Sequence, residues 1–164
     1  MRNKTSGSSV QTIVVFQRPG LQEFLERASE FAELVLYTSA REGYARPLMN
    51  ALDPKGNIEF RLYRETTVNR NGGTSVKDLS RLGRNLGRTI LVDDNPYSFS
   101  LQPTNGVPIM PFDGMKEDSQ LLAVLLPLIE SLSPLPDVRP VLNLRFNLPQ
   151  WFLRASPAKA SRSQ

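Results

Sequence analysis

Apolar residues in this chain fall into short continuous runs, separated by stretches in which they recur every three or four positions. Ile13-Val14-Val15-Phe16 is the first β-branched run and predicts a strand. Pro19 then suits the opening of a helix, where its absent N–H has no partner to lose. Leu21, Phe24, Leu25, Ala28 and Ala32 follow at helical spacing, with Glu23, Glu26 and Arg27 opposite. Leu34-Val35-Leu36-Tyr37 is uninterrupted and apolar, the pattern of a strand buried on both faces of a parallel sheet. A second helix is predicted across Glu42–Leu52, ended by Asp53-Pro54 and Gly56. Phe60–Tyr63 predicts another strand. A polar loop with Gly72-Gly73 leads to Lys77 and a short helix marked by Leu79, Leu82 and Leu86. Thr89-Ile90-Leu91-Val92 is the second clear buried strand and runs into Asp93-Asp94-Asn95-Pro96; Val107–Met110 is a last short one. Asp118 caps a helix bearing Leu121, Leu122, Leu125, Leu128, Ile129 and Leu132. Beyond it, Pro134, Pro136, Pro140, Pro149 and Pro157 punctuate an arm around Val141–Phe152.

Strands alternating with helices predict a doubly wound α/β domain, a parallel sheet with helices on both faces. At 164 residues the chain is long enough for one such domain with a single core. Three segments are expected: a disordered N-terminus over 1–12, the folded domain over 13–142, and a basic C-terminal tail over 143–164. In open parallel sheets ligands bind beyond the carboxyl ends of the strands. Two such ends carry polar groups here, Thr38 on one and Asp93 and Asp94 on the other.

Composition narrows the chemistry sharply. The chain has no cysteine and no histidine. Disulfides, thiolate or imidazole zinc sites, cysteine-nucleophile phosphatases and Ser–His–Asp triads are therefore excluded within it. Any reaction must use carboxylates, lysine, arginine, hydroxyls or a hard cation such as magnesium. The net charge of +4 is uneven. Residues 1–133 balance, whereas 134–164 hold Arg139, Arg145, Arg154, Lys159 and Arg162 against Asp137 alone. Such a basic stretch can meet nucleic acid, acidic lipid or an acidic partner, or simply be solvated. No nucleic-acid-binding domain is recognised. No apolar run approaches the roughly 18 residues of a membrane span. The first 22 residues hold Arg2, Lys4 and Arg18 without an acid, weakly like an organellar transit peptide.

Four elements can meet at the carboxyl edge. The Thr38 hydroxyl can donate to a phosphate oxygen. Asp94 or Asp93 can offer a carboxylate to magnesium. Lys77, placed at a helix start, puts a cation beside free N–H groups, both of which favour an anion. Arg64 can clamp phosphate through its planar fork. Together these residues describe a magnesium-assisted phosphoryl-transfer site.

The segments Arg18-Pro-Gly-Leu-Gln-Glu-Phe-Leu, Val35-Leu-Tyr-Thr-Ser-Ala, Tyr44-Ala-Arg-Pro, Phe60-Arg-Leu-Tyr-Arg-Glu, Val76-Lys-Asp-Leu-Ser-Arg-Leu-Gly-Arg and Leu91-Val-Asp-Asp-Asn-Pro occur in that order. Over about residues 13–142 the chain resembles the FCP/SCP-type phosphatases of the haloacid-dehalogenase class, which act on the C-terminal domain of RNA polymerase II. The resemblance implies a Rossmann-like fold and hydrolysis of phosphoserine or phosphothreonine in proteins. It gives Thr38 the phosphoryl-holding role and Lys77 the neutralising role. Asp94 becomes the magnesium ligand, Asp93 its supporting acid, and Arg64 a substrate-side arginine. It implies a nuclear or cytoplasmic compartment. One branch of the family, the presequence receptor of the mitochondrial inner-membrane translocase, instead implies peptide binding without turnover and a mitochondrial place.

One departure from the family pattern is large. The family's Asp-x-Asp-x-Thr motif supplies the nucleophile and the general acid–base, and no Asp-x-Asp occurs in this chain. The residues before Arg18 match the region downstream of that motif. The expectation is therefore a truncated chain or pseudophosphatase, lacking one central strand and holding magnesium weakly or not at all. A protein partner that completes the sheet is a further expectation.

Overall fold

The computed structural model describes residues 14–70 and 74–155. Helix α1 (Leu21–Ser29) begins after Gly20, which takes φ +75°. A Cβ at Gly20 would lie 2.6 Å from Leu122, so glycine is needed there twice over, for its backbone and for the helix packed against it. Strand β1 (Leu34–Tyr37) pairs parallel with β2 (Ile58–Leu62), aligning Val35 with Phe60 and Tyr37 with Leu62. The crossover between them is α2 (Glu42–Leu52). Asp53 closes that helix, and its buried carboxylate accepts the N–H groups of Asn57 (2.8 Å) and Ile58 (3.0 Å), which fixes where β2 starts.

A short antiparallel hairpin follows, β3 (Val68–Arg70) with β4 (Thr74–Val76). Strand β5 (Leu91–Asp93) then pairs parallel with β6 (Gly106–Pro108). A π-helical turn over Gln120–Leu125 runs into α3 (Leu126–Leu132), and two short helices close the described chain, α4 (Arg139–Phe146) and α5 (Leu148–Ala155).

The main core lies where α1 and α3 cover one face of the strands. Ala28 and Leu126 are wholly buried there, with Leu34, Ile90 and Val92 packed against the cluster. A second cluster, Leu79, Leu91, Phe99 and Leu148, fills the opposite face. The mixed α/β arrangement with parallel pairs and helices on both sides is the one expected. The sheet itself is discontinuous. Among the described residues β1 hydrogen-bonds only to β2 and β5 only to β6, so each has one unpaired edge.

Three local expectations change. Residues 14–16 form no strand; Val14, Val15 and Phe16 are irregular and exposed, having no neighbouring strand to pair with, and Ile13 lies outside the described residues. In β1 only Tyr37 is buried and the other three residues are half-buried, because one edge stands open. The helix expected after Lys77 is two 3₁₀ turns, Leu79–Leu82 and Leu86–Arg88, parted by Gly83 at φ +65°. The glycine pair at 72–73 lies outside the described residues, between β3 and β4. The boundary placed at 142 falls within α4, and the basic segment is helical as far as Ala155. Residues 1–12 and 156–164 lie outside the described ones.

Asp137 sets the start of α4. Its carboxylate is held down to about 2, first by the Arg139 guanidinium and then by the Arg139 N–H, with Oδ1 to that N–H at 2.9 Å. A depressed carboxyl stabilises the fold above its ordinary value near 4 and loses that contribution as pH falls toward 2. Asp137→Asn is expected to flatten the fall in melting temperature between pH 4 and 2; an acid limb unchanged in the variant would remove Asp137 from it.

Candidate functional site

Tyr37 ends β1 with its hydroxyl inside the fold. That hydroxyl donates to the Thr66 carbonyl (2.9 Å) and accepts the Asp78 N–H (3.3 Å). One side chain thus ties the carboxyl end of β1 to the turn after β2 and to the segment carrying Lys77. Thr38 and Lys77 each adjoin a member of this contact, so they stand on the same edge of the molecule. The Thr38 backbone N–H donates to Leu62 (2.9 Å), and its hydroxyl accepts the Ala40 N–H at 3.1 Å, which turns the chain toward α2.

At the carboxyl end of β5, Asp93 Oδ1 accepts the Asn95 N–H (2.8 Å) and Oδ2 accepts Lys77 Nζ in an ion pair. The pair is largely buried, with the two side chains 14% and 8% exposed. Its screening by water is correspondingly weak. Asp94, the next residue, is exposed. Lys77, Asp93 and Asp94 thus lie together at the carboxyl end of β5.

Two expected details differ. The N–H groups after Lys77 are not open to an anion, since Gln102 Oε1 takes the Leu79 N–H (3.1 Å) and Asp78 takes that of Ser80 (3.1 Å). The Asp78 carboxyl is held below the usual range, chiefly by the Ser80 hydroxyl and further by the Gln102 amide. Arg64 is exposed and its Nε donates to the Ser39 carbonyl (2.6 Å), so it braces the loop after Thr38 and leaves its terminal nitrogens toward solvent.

Sequence reasoning missed Tyr37, Asp78 and Gln102. Tyr37 read as an ordinary core residue; its position directly before Thr38 was the available signal. Beside β1 and β2, a cleft of about 310 Å³ is lined by Val35, Tyr37, Phe60, Leu62 and Leu82 and flanked by Arg81 and Arg84. Glu33 accepts from Arg84 (3.1 Å) and neutralises it.

A magnesium ion needs hard oxygen ligands, usually one or two carboxylates with substrate phosphate. Both oxygens of Asp93 are already engaged, so the residues present offer one open carboxylate, Asp94. Among the described residues no cluster of three acidic side chains is present. Asp94 is the residue of this set that would hold such an ion.

The NLI interacting factor-like phosphatase family matches residues 2–139. The human carboxy-terminal domain RNA polymerase II polypeptide A small phosphatase 1 is 42% identical over 135 residues, 82% of this chain and 51% of the human protein. The mitochondrial import inner membrane translocase subunit TIM50 of Debaryomyces hansenii is 40% identical over 130 residues, 77% of this chain and 27% of that protein. A solved structure of Fcp1, an essential RNA polymerase II CTD phosphatase, aligns over 88% of this chain and 39% of its own at 21% identity and a TM-score of 0.49. The chain thus spans about a quarter to a half of the curated relatives it matches.

Proposed function

This chain belongs to the NLI interacting factor-like phosphatase family, and from that we propose that it carries the phosphate-facing half of a protein serine/threonine phosphatase site and binds phosphorylated segments without hydrolysing them. The observation that carries this reading is the Lys77–Asp93–Asp94 group at the carboxyl end of β5, in a chain with no Asp-x-Asp.

The roles follow from the chemistry of the side chains. Lys77 meets the phosphate charge, and Asp93 holds the ammonium in place while no phosphate is bound. Thr38 donates its hydroxyl to a phosphate oxygen, and the free nitrogens of Arg64 guide the rest of the segment. Asp94 would hold magnesium together with the bound phosphate, and that ion would supply further charge neutralisation. Without an Asp-x-Asp in the chain, the aspartyl-phosphate route lacks the family's first-step acceptor. The domain limits 13–142 belong to the same reading, as does a nuclear or cytoplasmic place.

A second reading, peptide binding in a mitochondrial setting, is favoured by the TIM50 relative. It shares the absence of turnover and differs in having no need of phosphate. Fluorescence polarisation with a phosphoserine peptide and its unphosphorylated twin separates the two. The expected result is binding of the phosphopeptide alone, weakened about tenfold or more by Lys77→Ala, the loss of one charge-assisted contact. Asp94→Ala is expected to abolish any strengthening by magnesium. Equal affinity for both peptides would favour the second reading. Chelator-sensitive hydrolysis of the phosphopeptide would overturn the claim of inactivity.

A further inference from the structure

Lys77 stands between two buried anchors, Val76 at the end of β4 and Leu79 in the second core cluster. They fix where the Lys77 backbone runs. They do not fix how the peptide unit after it is turned. That unit carries the Asp78 N–H, and the buried Tyr37 hydroxyl accepts it at 3.3 Å. The hydroxyl is itself held, because it donates to the Thr66 carbonyl at 2.9 Å. A second side chain grips the same place. The Gln102 amide nitrogen donates to Asp78 Oδ1 (2.9 Å), and the Gln102 amide oxygen accepts the Leu79 N–H (3.1 Å). Asp78 Oδ1 also accepts from the Ser80 N–H (3.1 Å) and the Ser80 hydroxyl (2.7 Å).

These side chains arrive from distant parts of the chain. Tyr37 is 41 positions from Asp78, and Gln102 is 24. Both converge on the residue that follows Lys77. A lysine ammonium rides on a flexible four-carbon stem. It meets one point in space only if the backbone it springs from is held still. Asp93 fixes the far end of that stem, and the Tyr37–Asp78–Gln102 contacts fix the near end. Tyr37 also directly precedes Thr38. One hydroxyl therefore sets the spacing between Thr38 and Lys77.

We propose that Tyr37 and Gln102 are positioning residues that hold the Lys77–Asp78 peptide in the rotation that aims the Lys77 ammonium at a phosphate shared with Thr38. The inference rests on the phosphate-binding reading of Lys77 given above. Both residues act through Lys77, their own polar atoms being engaged with Asp78 and the backbone.

Two variants of nearly unchanged shape test it in the full chain. Tyr37→Phe removes the hydroxyl alone. Gln102→Glu keeps the oxygen for the Leu79 N–H and turns the donor into an acceptor facing Asp78. Fluorescence polarisation with a phosphoserine peptide and its unphosphorylated twin is the measurement. Each variant is expected to bind the phosphopeptide about fivefold more weakly and the twin as before. Added to Lys77→Ala, either change should cost less than about twofold more, because the group they position is gone. A residue that only supports the fold would take the same factor from both backgrounds. If Tyr37→Phe unfolds the chain, the half-buried Gln102 decides alone. Wild-type affinity in either folded variant, or equal losses with and without Lys77, overturns the inference and leaves the phosphate reading standing. Wild-type affinity in Lys77→Ala, or no preference of the unaltered chain for the phosphopeptide, overturns that reading and the inference with it.

Discussion

Fusing an apolar strand that carries Asp-x-Asp-x-Thr ahead of residue 10 is expected to raise the melting temperature by roughly 10 °C or more and to bring phosphatase activity from background to a measurable rate. β1 and β5 end at the two halves of the candidate site, and each keeps one edge unpaired among the described residues. Polar backbone groups buried without partners cost about 1–3 kcal/mol each, while a whole domain has only about 5–15 kcal/mol of net stability. Pairing a handful of them shifts melting by roughly 2–4 °C per kcal/mol at this size. The chemistry adds to the packing, because the first aspartate would supply the missing phosphoryl acceptor. A fusion with Asn-x-Asn separates the two effects: it should melt as high and stay inactive. If neither fusion raises the melting temperature, the unpaired edges are not the weak point, and the chain needs no strand from elsewhere.

Asn105→Ala is expected to cost roughly 2–5 kcal/mol, a fall in melting temperature of about 5–15 °C. Asn105 is 1% exposed and its amide nitrogen donates to the carbonyls of Leu86 (2.6 Å) and Thr89 (2.7 Å). Those carbonyls sit just ahead of β5, and Asn105 itself directly precedes β6. The side chain therefore clamps the entry of one strand to the entry of its partner. Alanine takes the side-chain donor from both carbonyls, leaving Leu86 only the Thr89 N–H at 3.3 Å, and opens a void. Asn105→Asp should be no better, since it replaces the donor with a charge in a dry site. Thermal melts of both variants check this; a change of under 1 °C in each would show that water replaces the amide at no cost.

The fold was readable where packing and local pattern agree. α2 appears over the residues predicted, because Glu42 to Leu52 combines helical spacing with a stop at Asp53. β1 and β5 were visible as apolar runs, each followed by polar residues. What the sequence hid is pairing. Ile13–Phe16 has the composition of a strand, yet a strand is defined by a neighbour, and no spacing rule reports whether one is present. The hairpin β3–β4 was hidden for the opposite reason: apart from Val68 and Val76 its residues are polar, and only the backbone ladder makes them strands. In the site, Lys77, Asp93 and Asp94 were legible as charges near strand ends. Tyr37 was not, because a hydroxyl that closes two backbone contacts looks like any buried aromatic until the Thr66 carbonyl and the Asp78 N–H are brought to it.

The same tyrosine bears on the order in which the chain assembles. Each parallel pair is nearly local: β1 and β2 are joined by one helix, β5 and β6 by a short stretch of 3₁₀ turns. Both can close early, since short loops lose little entropy on closure. The strand pairs share no backbone ladder, so their union rests on distant contacts. Tyr37 to Asp78 spans 41 positions, and the bidentate Arg18–Asp118 pair, at 2.8–2.9 Å, spans 100. The two strand pairs are thus expected to form locally first and to join through side chains, both in these contacts and in the core that Leu34, Ile90 and Val92 share.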